Sequence, residues 1–329
     1  MNVGPIIESL LLGDEISAPQ ELMAYMVSGE ATEAQIAAIL IALKQKGASA
    51  RELAGFARAL NSCAHRVSHE RNCVVDSCGT GGGTPSFNLS TSASLIAAGA
   101  GANVAKHGNR AVTSSCGSAD VLELLGINLE ISLDRQAEIL SSIGFVFMFA
   151  PHHHPAMKHV GKVRRELGTR TVFNQLGPLA NPASATAQLI GVYSRDLVRP
   201  MAEAARELGC KRVLCVYGAD GLDEISPVSE SFAVYGDESG LHELSLGPFY
   251  KDAILDPGES IAANAQILVE AISDPNSPRC FAVLPSAGAV LWLAELADSI
   301  QEGILLARAA VADQRALRKL EEFKEASQT

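Results

Sequence analysis

The chain has 329 residues, of which 47% are hydrophobic, enough to bury the core of one large domain or two moderate ones. Its formal net charge of −11 at pH 7 argues against a general affinity for nucleic acid, so an anionic ligand would need a local cluster of cations. Seven cysteines without a CxxC pair indicate neither a disulfide framework nor a zinc site, and they favour a reducing, cytoplasmic compartment.

The N-terminus shows no targeting pattern. No basic segment precedes the short apolar run at residues 10–12, and no later segment approaches roughly 18 uninterrupted apolar residues. We therefore expect no export signal and no membrane span.

The first 70 residues are predicted to form a helical unit. Three helix starts are marked by a small polar residue with Gln or Glu three positions later: Ser17/Gln20, Thr32/Gln35 and Ser49/Glu52. Gly29 and Gly47 stand where the first two of these helices should end, and the apolar residues between them recur at helical spacing.

From residue 73 onward, short apolar runs alternate with amphipathic segments. Strands are predicted at residues 73–75, 103–105, 145–150, 188–193 and 212–217. Helices are predicted at residues 91–99, 118–125, 133–143, 155–167 and 196–208, with a helical C-terminus from about 288 to 325. This alternation predicts parallel strands with crossover helices, in which ligands bind at the carboxyl ends of the strands.

The loop after the first strand is rich in glycine. Asp76 leads into residues 79–84 (GTGGGT), and Asn88, Ser90 and Thr91 follow at the start of an Ala-rich helix. Glycines let backbone N–H groups approach an anion closely, and a helix N-terminus favours negative charge. The run is neither a Walker loop nor a G-x-G-x-x-G fingerprint. It predicts a phosphate site, with an ordinary glycine turn capped by Asn88 as the alternative.

A second polar group follows the second strand. Residues 106–110 (KHGNR) and 113–118 (TSSCGS) supply a cation, an imidazole, an amide and several hydroxyls. We predict a second phosphate-binding wall here, with a solvated polar loop as the alternative.

Three later segments carry further candidates. His152, His153 and His154 are adjacent, so their side chains point in different directions and a shared metal ion is disfavoured; a pocket rim or a plain helix start is expected instead. Arg164 on the next helix suits a carboxylate, although arginines on helix surfaces are common. Asp223 and Glu224 follow the fifth strand and suit Mg²⁺ that also contacts phosphate oxygens, with an acidic turn as the alternative.

With these segments in this order, the chain resembles the anthranilate phosphoribosyltransferase family of tryptophan biosynthesis over nearly its whole length. The motifs that carry the resemblance are residues 79–82 (GTGG), 88–91 (NLST), 106–110 (KHGNR), 154–157 (HPAM), 170–174 (RTVFN), 176–179 (LGPL) and 223–224 (DE). Two departures stand out: Gly83 replaces the Asp that the family typically has, and the loop before Phe87 is one residue shorter. An Asp at position 83 is accordingly expected to tighten donor binding and to introduce inhibition at high Mg²⁺.

The resemblance implies an α/β fold of the nucleoside phosphorylase/phosphoribosyltransferase type. A small helical domain (residues 1–70), completed by a mid-chain helix near 165–180, would join a larger α/β domain (residues 71–329) with a mainly parallel sheet. The active site would lie between the two domains, and a homodimer would form through the helical domains. The implied partners are small molecules, with no nucleic acid and no membrane.

The implied reaction moves ribose 5-phosphate from 5-phosphoribosyl 1-pyrophosphate to the amino group of anthranilate, with Mg²⁺ helping pyrophosphate to leave. The donor would be held by Gly79, Gly82, Gly83, Ser86, Asn88, Leu89, Ser90, Thr91, Lys106, His107, Gly108, Asn109, Arg110, Ala111, Val112, Thr113, Ser114 and Ser118. Anthranilate would contact Gly79, Asn109, His154 and Arg164, and Mg²⁺ would be bound by Ser90, Asp223 and Glu224.

Lys106, Asn109 and Arg164 are the expected catalytic residues, with Lys106 stabilising the leaving pyrophosphate. No nucleophile with an adjacent base is evident, so catalysis would come from positioning and electrostatics.

Two other functions remain open at this point. A pyrimidine nucleoside phosphorylase has a related fold and a similar glycine loop, but residues 170–174 argue against it. A noncatalytic nucleic-acid-binding relative should show a basic surface, which the net charge of −11 and the Asp223-Glu224 pair argue against.

Overall fold

Four helices open the chain in the computed structural model, which describes residues 1–110 and 116–328. They are α1 (Gly4–Leu11), α2 (Pro19–Ser28), α3 (Glu33–Lys46) and α4 (Ala50–Ser62). Reciprocal capping bonds confirm the predicted helix starts at Thr32/Gln35 and Ser49/Glu52.

The prediction at Ser17/Gln20 is wrong. Helix α2 begins at Pro19 after Ala18 and has no side-chain capping bond, because a proline at the first position is already preorganised for the helix. Helix α1 was not predicted; it too begins without a side-chain cap and has a proline in its first turn.

Within the described residues, one seven-stranded sheet forms the centre of the α/β domain. Its strands are β1 (Val75–Gly79), β2 (Val104–Gly108), β3 (Phe145–Phe149), β4 (Ala187–Gly191), β5 (Arg212–Gly218), β6 (Ser231–Asp237) and β7 (Gly240–Leu246). They lie in the order β3-β2-β1-β4-β5-β6-β7. The first five are parallel, as predicted, and β6 and β7 add an antiparallel hairpin at one edge.

Eleven more helices connect and cover these strands within the described residues: α5 (Leu89–Gly99), α6 (Ser118–Leu124), α7 (Leu133–Ile143), α8 (Ala150–His153), α9 (Lys158–Leu167), α10 (Val172–Leu179), α11 (Val198–Glu207), α12 (Ile261–Ser273), α13 (Pro278–Leu293), α14 (Ile300–Ala312) and α15 (Arg315–Gln328). Helix α12 was not predicted, and the predicted C-terminal helical region is three helices. Helices α13 and α14 pack closely where Gly303 meets Gly288. Glycine permits this approach, since a Cβ added to Gly303 would lie 2.2 Å from the backbone oxygen of Gly288.

The two faces of the sheet belong to different cores. Helices α5, α12, α13 and α15 share one apolar core with the inner strands. On the other face, α11 shares a core with the N-terminal helices and with α9 and α10 from the middle of the chain. Helix α9 packs against α2 and α3, and α10 packs against α3 and α4. The predicted domain boundary at residue 70 stays a prediction.

Two strand boundaries were predicted wrongly. Strands β1 and β2 were expected to end at residues 75 and 105, but they continue to Gly79 and Gly108. Polar Asp76, Lys106 and His107 therefore lie within buried strands, where each side chain has at least one hydrogen-bond partner from another segment.

Strand β1 lies between β2 and β4, so the strand order reverses beside it. In open α/β sheets the carboxyl ends of the strands at such a point form a ligand-binding crevice. No helix in residues 1–110 and 116–328 is both long and apolar enough to cross a membrane.

Candidate functional site

The glycine loop, residues 79–84, lies at the carboxyl end of β1 and is held at both ends. Thr80 donates its backbone N–H to Gly191 O at the end of β4, at 2.8 Å. Thr84 donates its backbone N–H to Gly221 O after β5, also at 2.8 Å. The loop therefore crosses the ends of three neighbouring strands, β1, β4 and β5.

Glycine is required in this loop for two reasons. Gly81 and Gly82 have positive φ angles of 69° and 84°, which side chains disfavour. Gly79 and Gly83 instead allow close approach to Asp223: an added Cβ would lie 2.7 Å from Asp223 Oδ2 at Gly79, and 2.7 Å from Asp223 N at Gly83. The loop and the acidic segment after β5 thus pack backbone against backbone.

The first residues of α5 present unused polar atoms. Asn88 is the N-cap residue but makes no side-chain capping bond, so the capped-turn alternative does not describe it. The side-chain oxygens of Asn88 and Thr91 are buried without a hydrogen-bond partner among the described residues. Buried polar atoms in this state are suited to a ligand that supplies the missing partners. Leu89 differs, because its side chain lies in the core and its N–H donates to Phe87 O.

Lys106 is a buried cation on β2, with 2% of its surface exposed. Its Nζ donates to Ser77 O at 2.6 Å and to Ser90 Oγ at 3.1 Å. The carboxylate of Asp76 lies in the same layer and accepts from His107 N at 3.1 Å and from Asn181 Nδ2 at 2.7 Å. Burial raises the pKa of Asp76, while Lys106 and Asn181 lower it. Asp76 and its partners thus fix the strand that carries Lys106.

Asp223 and Glu224 form an acidic pair beside Lys106. Burial raises the pKa of Glu224 to about 8, and the neighbouring Asp223 adds to the rise, while Lys106 and hydrogen bonds from Ser286 and Ser90 oppose it. Burial also raises the pKa of Asp223. The Ser90 hydroxyl therefore bridges the ammonium group of Lys106 and the carboxylate of Glu224.

Two neutral imidazoles lie side by side, with ring centroids 5.3 Å apart. One belongs to His107 in β2 and the other to His154, which follows α8. His107 Nδ1 lies 3.1 Å from Gly177 O, and His154 Nε2 lies 2.9 Å from Ala180 O. A carbonyl oxygen only accepts, so each of these nitrogens carries the proton. The opposite nitrogens, His107 Nε2 and His154 Nδ1, are buried without a partner among the described residues. Burial lowers the pKa of His107 to about 3 and that of His154 to about 4.

The three adjacent histidines point to three different partners, as their spacing predicted. His152 Nε2 lies 3.0 Å from Glu130 Oε2, and His153 Nδ1 lies 2.8 Å from His65 O. Within residues 1–110 and 116–328, no three His, Cys, Asp or Glu side chains come together in a group suited to a metal ion.

Two adjoining cavities open between the α/β domain and the mid-chain helices. The first, of about 290 Å³, is lined by the glycine loop, Ser90, Lys106 and Ser118. The second, of about 590 Å³, is lined by His154 and by residues of α9 and α10. Both cavities are lined by His107, Asn109, Ala150, Arg164, Phe173 and Gly177. A polar cavity and a larger, more apolar one therefore share a wall.

Comparisons with known proteins agree with this geometry. The glycosyl transferase family, helical bundle domain, matches residues 5–64, and the glycosyl transferase family, a/b domain, matches residues 71–317. An anthranilate phosphoribosyltransferase of Symbiobacterium thermophilum is 43% identical over 309 residues, which cover 92% of this chain and 91% of the relative. The chain belongs to the anthranilate phosphoribosyltransferase family.

Solved structures of anthranilate phosphoribosyltransferases have the same fold. The crystal structure from Thermus thermophilus aligns with a TM-score of 0.90 and 38% identity, covering 98% of this chain and 99% of that one. The Saccharomyces cerevisiae protein, in complex with PRPP and Mg, aligns with a TM-score of 0.85 and 26% identity, covering 98% and 96%. These likenesses confirm the predicted helical domain with a larger α/β domain.

The phosphoribosyltransferase site expected from the sequence is largely gathered in one place. The smaller cavity is lined by Gly79, Ser90, Lys106, His107, Gly108, Asn109, Arg110, Ser118 and Arg164. Gly82, Gly83, Ser86, Asn88 and Thr91 lie in the glycine loop or in the turn that begins α5. Ala111, Val112, Thr113 and Ser114 lie outside the described residues.

Two arginines near the cavities differ in their pairing. Arg110 is engaged by Glu123 at 2.7 Å and by Asp120 at 3.1 Å, which leaves it little capacity for a donor in this conformation. The guanidinium of Arg164 forms no hydrogen bond or ion pair with the described residues, and it lies 5.2 Å from the centre of the Phe173 ring. Burial lowers the pKa of Arg164. The guanidinium of Arg164 therefore lines both cavities without a counter-ion among the described residues.

Sequence reasoning missed several residues that shape this site. Asn181 links Asp76 to Ala105 O, and Phe173 separates the two cavities. Arg170 donates to Gly82 O at 2.6 Å. Arg170 and Phe173 belong to the RTVFN motif, to which no contacts were assigned, and Asn181 lies two residues after the LGPL motif.

Proposed function

We propose that this chain binds 5-phosphoribosyl 1-pyrophosphate at the glycine loop and anthranilate in the adjoining cavity. The two substrates would react where the two cavities meet. The chain transfers the 5-phosphoribosyl group to the amino group of anthranilate, giving N-(5-phosphoribosyl)anthranilate and pyrophosphate, in tryptophan biosynthesis. The observation that carries the site proposal is the pair of cavities sharing Asn109, Arg164 and Phe173.

The donor phosphates fit the polar cavity. Backbone N–H groups of the glycine loop, Ser90 and the unpartnered oxygens of Asn88 and Thr91 surround it or lie in the turn beside it. Lys106 is held by two hydrogen bonds, which leaves one N–H of its ammonium group for an oxygen of the leaving pyrophosphate. A fixed cation at this position would stabilise the charge that develops as the bond breaks.

A magnesium ion fits the acidic pair. Asp223 and Glu224 are hard oxygen ligands whose pKa values are raised chiefly by burial, and a bound cation would favour their charged forms. Ser90 is hydrogen-bonded to Glu224 and to Lys106, so its hydroxyl oxygen lies beside the pair. Mg²⁺ bound by Ser90, Asp223 and Glu224 would neutralise charge on the pyrophosphate leaving group.

Anthranilate fits the larger cavity with its carboxylate toward Arg164. The Arg164 guanidinium is partly buried and lacks a partner among the described residues. A planar carboxylate can accept two parallel N–H hydrogen bonds from such a group. His107 Nε2 and His154 Nδ1 are hydrogen-bond acceptors, which suit the amino group rather than the carboxylate. This orientation directs the amine toward the wall shared with the donor cavity.

The residues then act by positioning and charge stabilisation. The amine lone pair forms the new bond to the anomeric carbon while the bond to pyrophosphate breaks and its electron pair leaves with pyrophosphate. The product ammonium afterwards loses one proton. Because the arylamine is neutral, no base is needed before the bond forms, which agrees with imidazoles whose pKa values lie near 3 and 4.

The proposal is tested by mixing the purified chain with 5-phosphoribosyl 1-pyrophosphate, anthranilate and Mg²⁺ and following anthranilate fluorescence. A Mg²⁺-dependent loss of fluorescence is expected. No turnover at any Mg²⁺ concentration, together with phosphorolysis of thymidine or uridine, would support the pyrimidine nucleoside phosphorylase instead. The relatives do not favour that alternative, nor the noncatalytic one.

A homodimer formed through the helical domains and a cytoplasmic location belong to the same proposal. Family membership supports both, and sedimentation of the purified chain tests the first.

A further inference from the structure

Arg170 connects the two domains at the glycine loop. It lies in the short connection between α9 and α10, helices that pack on α2, α3 and α4 of the helical domain. Lys44 Nζ on α3 donates to Thr169 Oγ1, which ties this connection to the helical domain. The Arg170 side chain nevertheless reaches a loop of the α/β domain.

Two contacts fix the Arg170 guanidinium. Its Nη1 donates to Gly82 O at 2.6 Å, and its Cζ lies 4.5 Å from the centre of the Tyr193 ring. Tyr193 is itself held, because Gln175 Nε2 donates to its hydroxyl and its own N–H donates to Thr80 Oγ1, each at 3.1 Å. The arginine therefore lies on a fixed aromatic ring and points to the loop carbonyl.

Gly82, in the middle of the loop, depends on this arginine. Thr80 and Thr84 are bonded to the α/β domain itself, and so is Gly81 through Asp223, but Gly82 has no hydrogen bond to the described residues other than the one from Arg170. Arg170 lies close to Gly82: a Cβ added to Gly82 would be 2.9 Å from Arg170 Cδ and Nη1. A glycine-rich segment without this bond would lose much of its order, since glycine has the largest backbone freedom.

We propose that Arg170 is a positioning residue that holds the glycine loop from across the domain boundary and thereby sets the affinity for the phosphoribosyl donor. The proposal rests on the proposed function, in which the loop binds the donor. The same connection follows α9, which carries Arg164 on the acceptor side. One segment of the helical domain thus bears both the acceptor's cation and the tether of the donor loop.

The test compares full-length wild type with Arg170→Ala and Arg170→Lys. Donor affinity is measured by titration calorimetry with Mg²⁺ and without acceptor, alongside both KM values, kcat and amide hydrogen exchange of residues 79–84. We expect Arg170→Ala to weaken donor binding about tenfold, to change the anthranilate KM less than about threefold, and to speed exchange in the loop. Lysine keeps the charge but not the planar group that stacks on Tyr193, so Arg170→Lys should lie between the two.

A matched control is Arg195→Ala. Arg195 is also an exposed arginine stacked on an aromatic ring, with its Cζ 4.4 Å from the centre of the Phe232 ring, but it has no contact with the loop. Its replacement should leave donor affinity and loop exchange at the wild-type level. Equal losses in Arg170→Ala and Arg195→Ala, or equal losses for donor and acceptor with a lower Tm, would show a general structural role and overturn the proposal.

Ser90→Ala separates the proposal from the proposed function. If Ser90→Ala weakens donor binding and Arg170→Ala leaves it within about twofold of wild type, Arg170 does not position the loop and only this inference fails. If neither replacement changes donor affinity, the donor binds elsewhere and the proposed donor site fails as well.

Discussion

Replacement of Gly83 should weaken donor binding, whether by Ala or by Asp. A Cβ at this position would lie 2.7 Å from both the backbone N and Oδ1 of Asp223, and 2.8 Å from Gly221 O. Two of these three atoms belong to the backbone, so a side-chain rotation cannot relieve the contact. The sequence alone suggested that Asp at position 83 tightens donor binding; the structure reverses that expectation because the loop has no room for a side chain.

The size of the effect follows from the required displacement. Inserting a carbon into a close-packed site costs typically about 1–3 kcal/mol, or about 5- to 150-fold in affinity if the free energy is lost from donor binding. Mg²⁺ binding should also be weakened, because two of the three atoms that would be displaced belong to Asp223. We therefore expect a higher donor KM and a higher Mg²⁺ requirement.

The assay measures donor KM and kcat over a series of Mg²⁺ concentrations for wild type, Gly83→Ala and Gly83→Asp. Alanine supplies the control, since it adds the Cβ without a carboxylate. Both variants should bind the donor more weakly than wild type, with Asp no better than Ala. A lower donor KM for Gly83→Asp than for wild type would refute the reasoning, because it would mean that the loop relaxes and the carboxylate serves the metal.

Four further predictions concern the site. Arg164→Ala should raise the anthranilate KM by about 10- to 150-fold, from the loss of about 1.5–3 kcal/mol of charged hydrogen bonding, without lowering Tm; an unchanged KM would remove Arg164 from the acceptor site. Asp223→Asn and Glu224→Gln should move the Mg²⁺ titration of activity to higher concentration, and curves that superimpose on wild type would show that the pair is only an acidic turn. His107 and His154, with pKa values lowered to about 3 and about 4, bind fewer protons folded than unfolded, so their contribution to the free energy of unfolding should fall as pH decreases from about 7 to about 5. Glu224, with its pKa raised to about 8, contributes with the opposite sign, so the histidine contribution is measured as the difference between the pH profiles of wild type and His107→Asn. Because both imidazole pKa values are lowered, kcat/KM for anthranilate should show no ionisation of these imidazoles between about pH 5 and about pH 8, and a step there that disappears in His107→Asn would contradict the assignment.

Two of the three predicted helix starts near the N-terminus were read correctly from the sequence. The capping pairs at Thr32 and Ser49 are contacts between residues three positions apart, so their spacing alone predicts them. The glycine loop and the Asp223-Glu224 pair were also located, because strand ends collect unusual residues in an α/β sheet.

Contacts over long sequence separations could not be predicted. Asp76 and Lys106 look like loop residues by polarity, and only the partners Asn181, Ser77 and Ser90 allow them to lie in buried strands. The hairpin of β6 and β7 was missed because β7 is half exposed and pairs only with β6 at the sheet edge. The clash at Gly83 likewise depends on the segment after β5, about 140 residues away in the chain.

Phosphoribosyl transfer by this chain can be measured as the release of pyrophosphate with and without anthranilate. The purified chain, supplied with 5-phosphoribosyl 1-pyrophosphate and Mg²⁺, should release pyrophosphate only when anthranilate is present, with one molecule of N-(5-phosphoribosyl)anthranilate formed for each pyrophosphate. Release at the same rate without anthranilate, or no release over the full Mg²⁺ series, would contradict phosphoribosyl transfer to anthranilate.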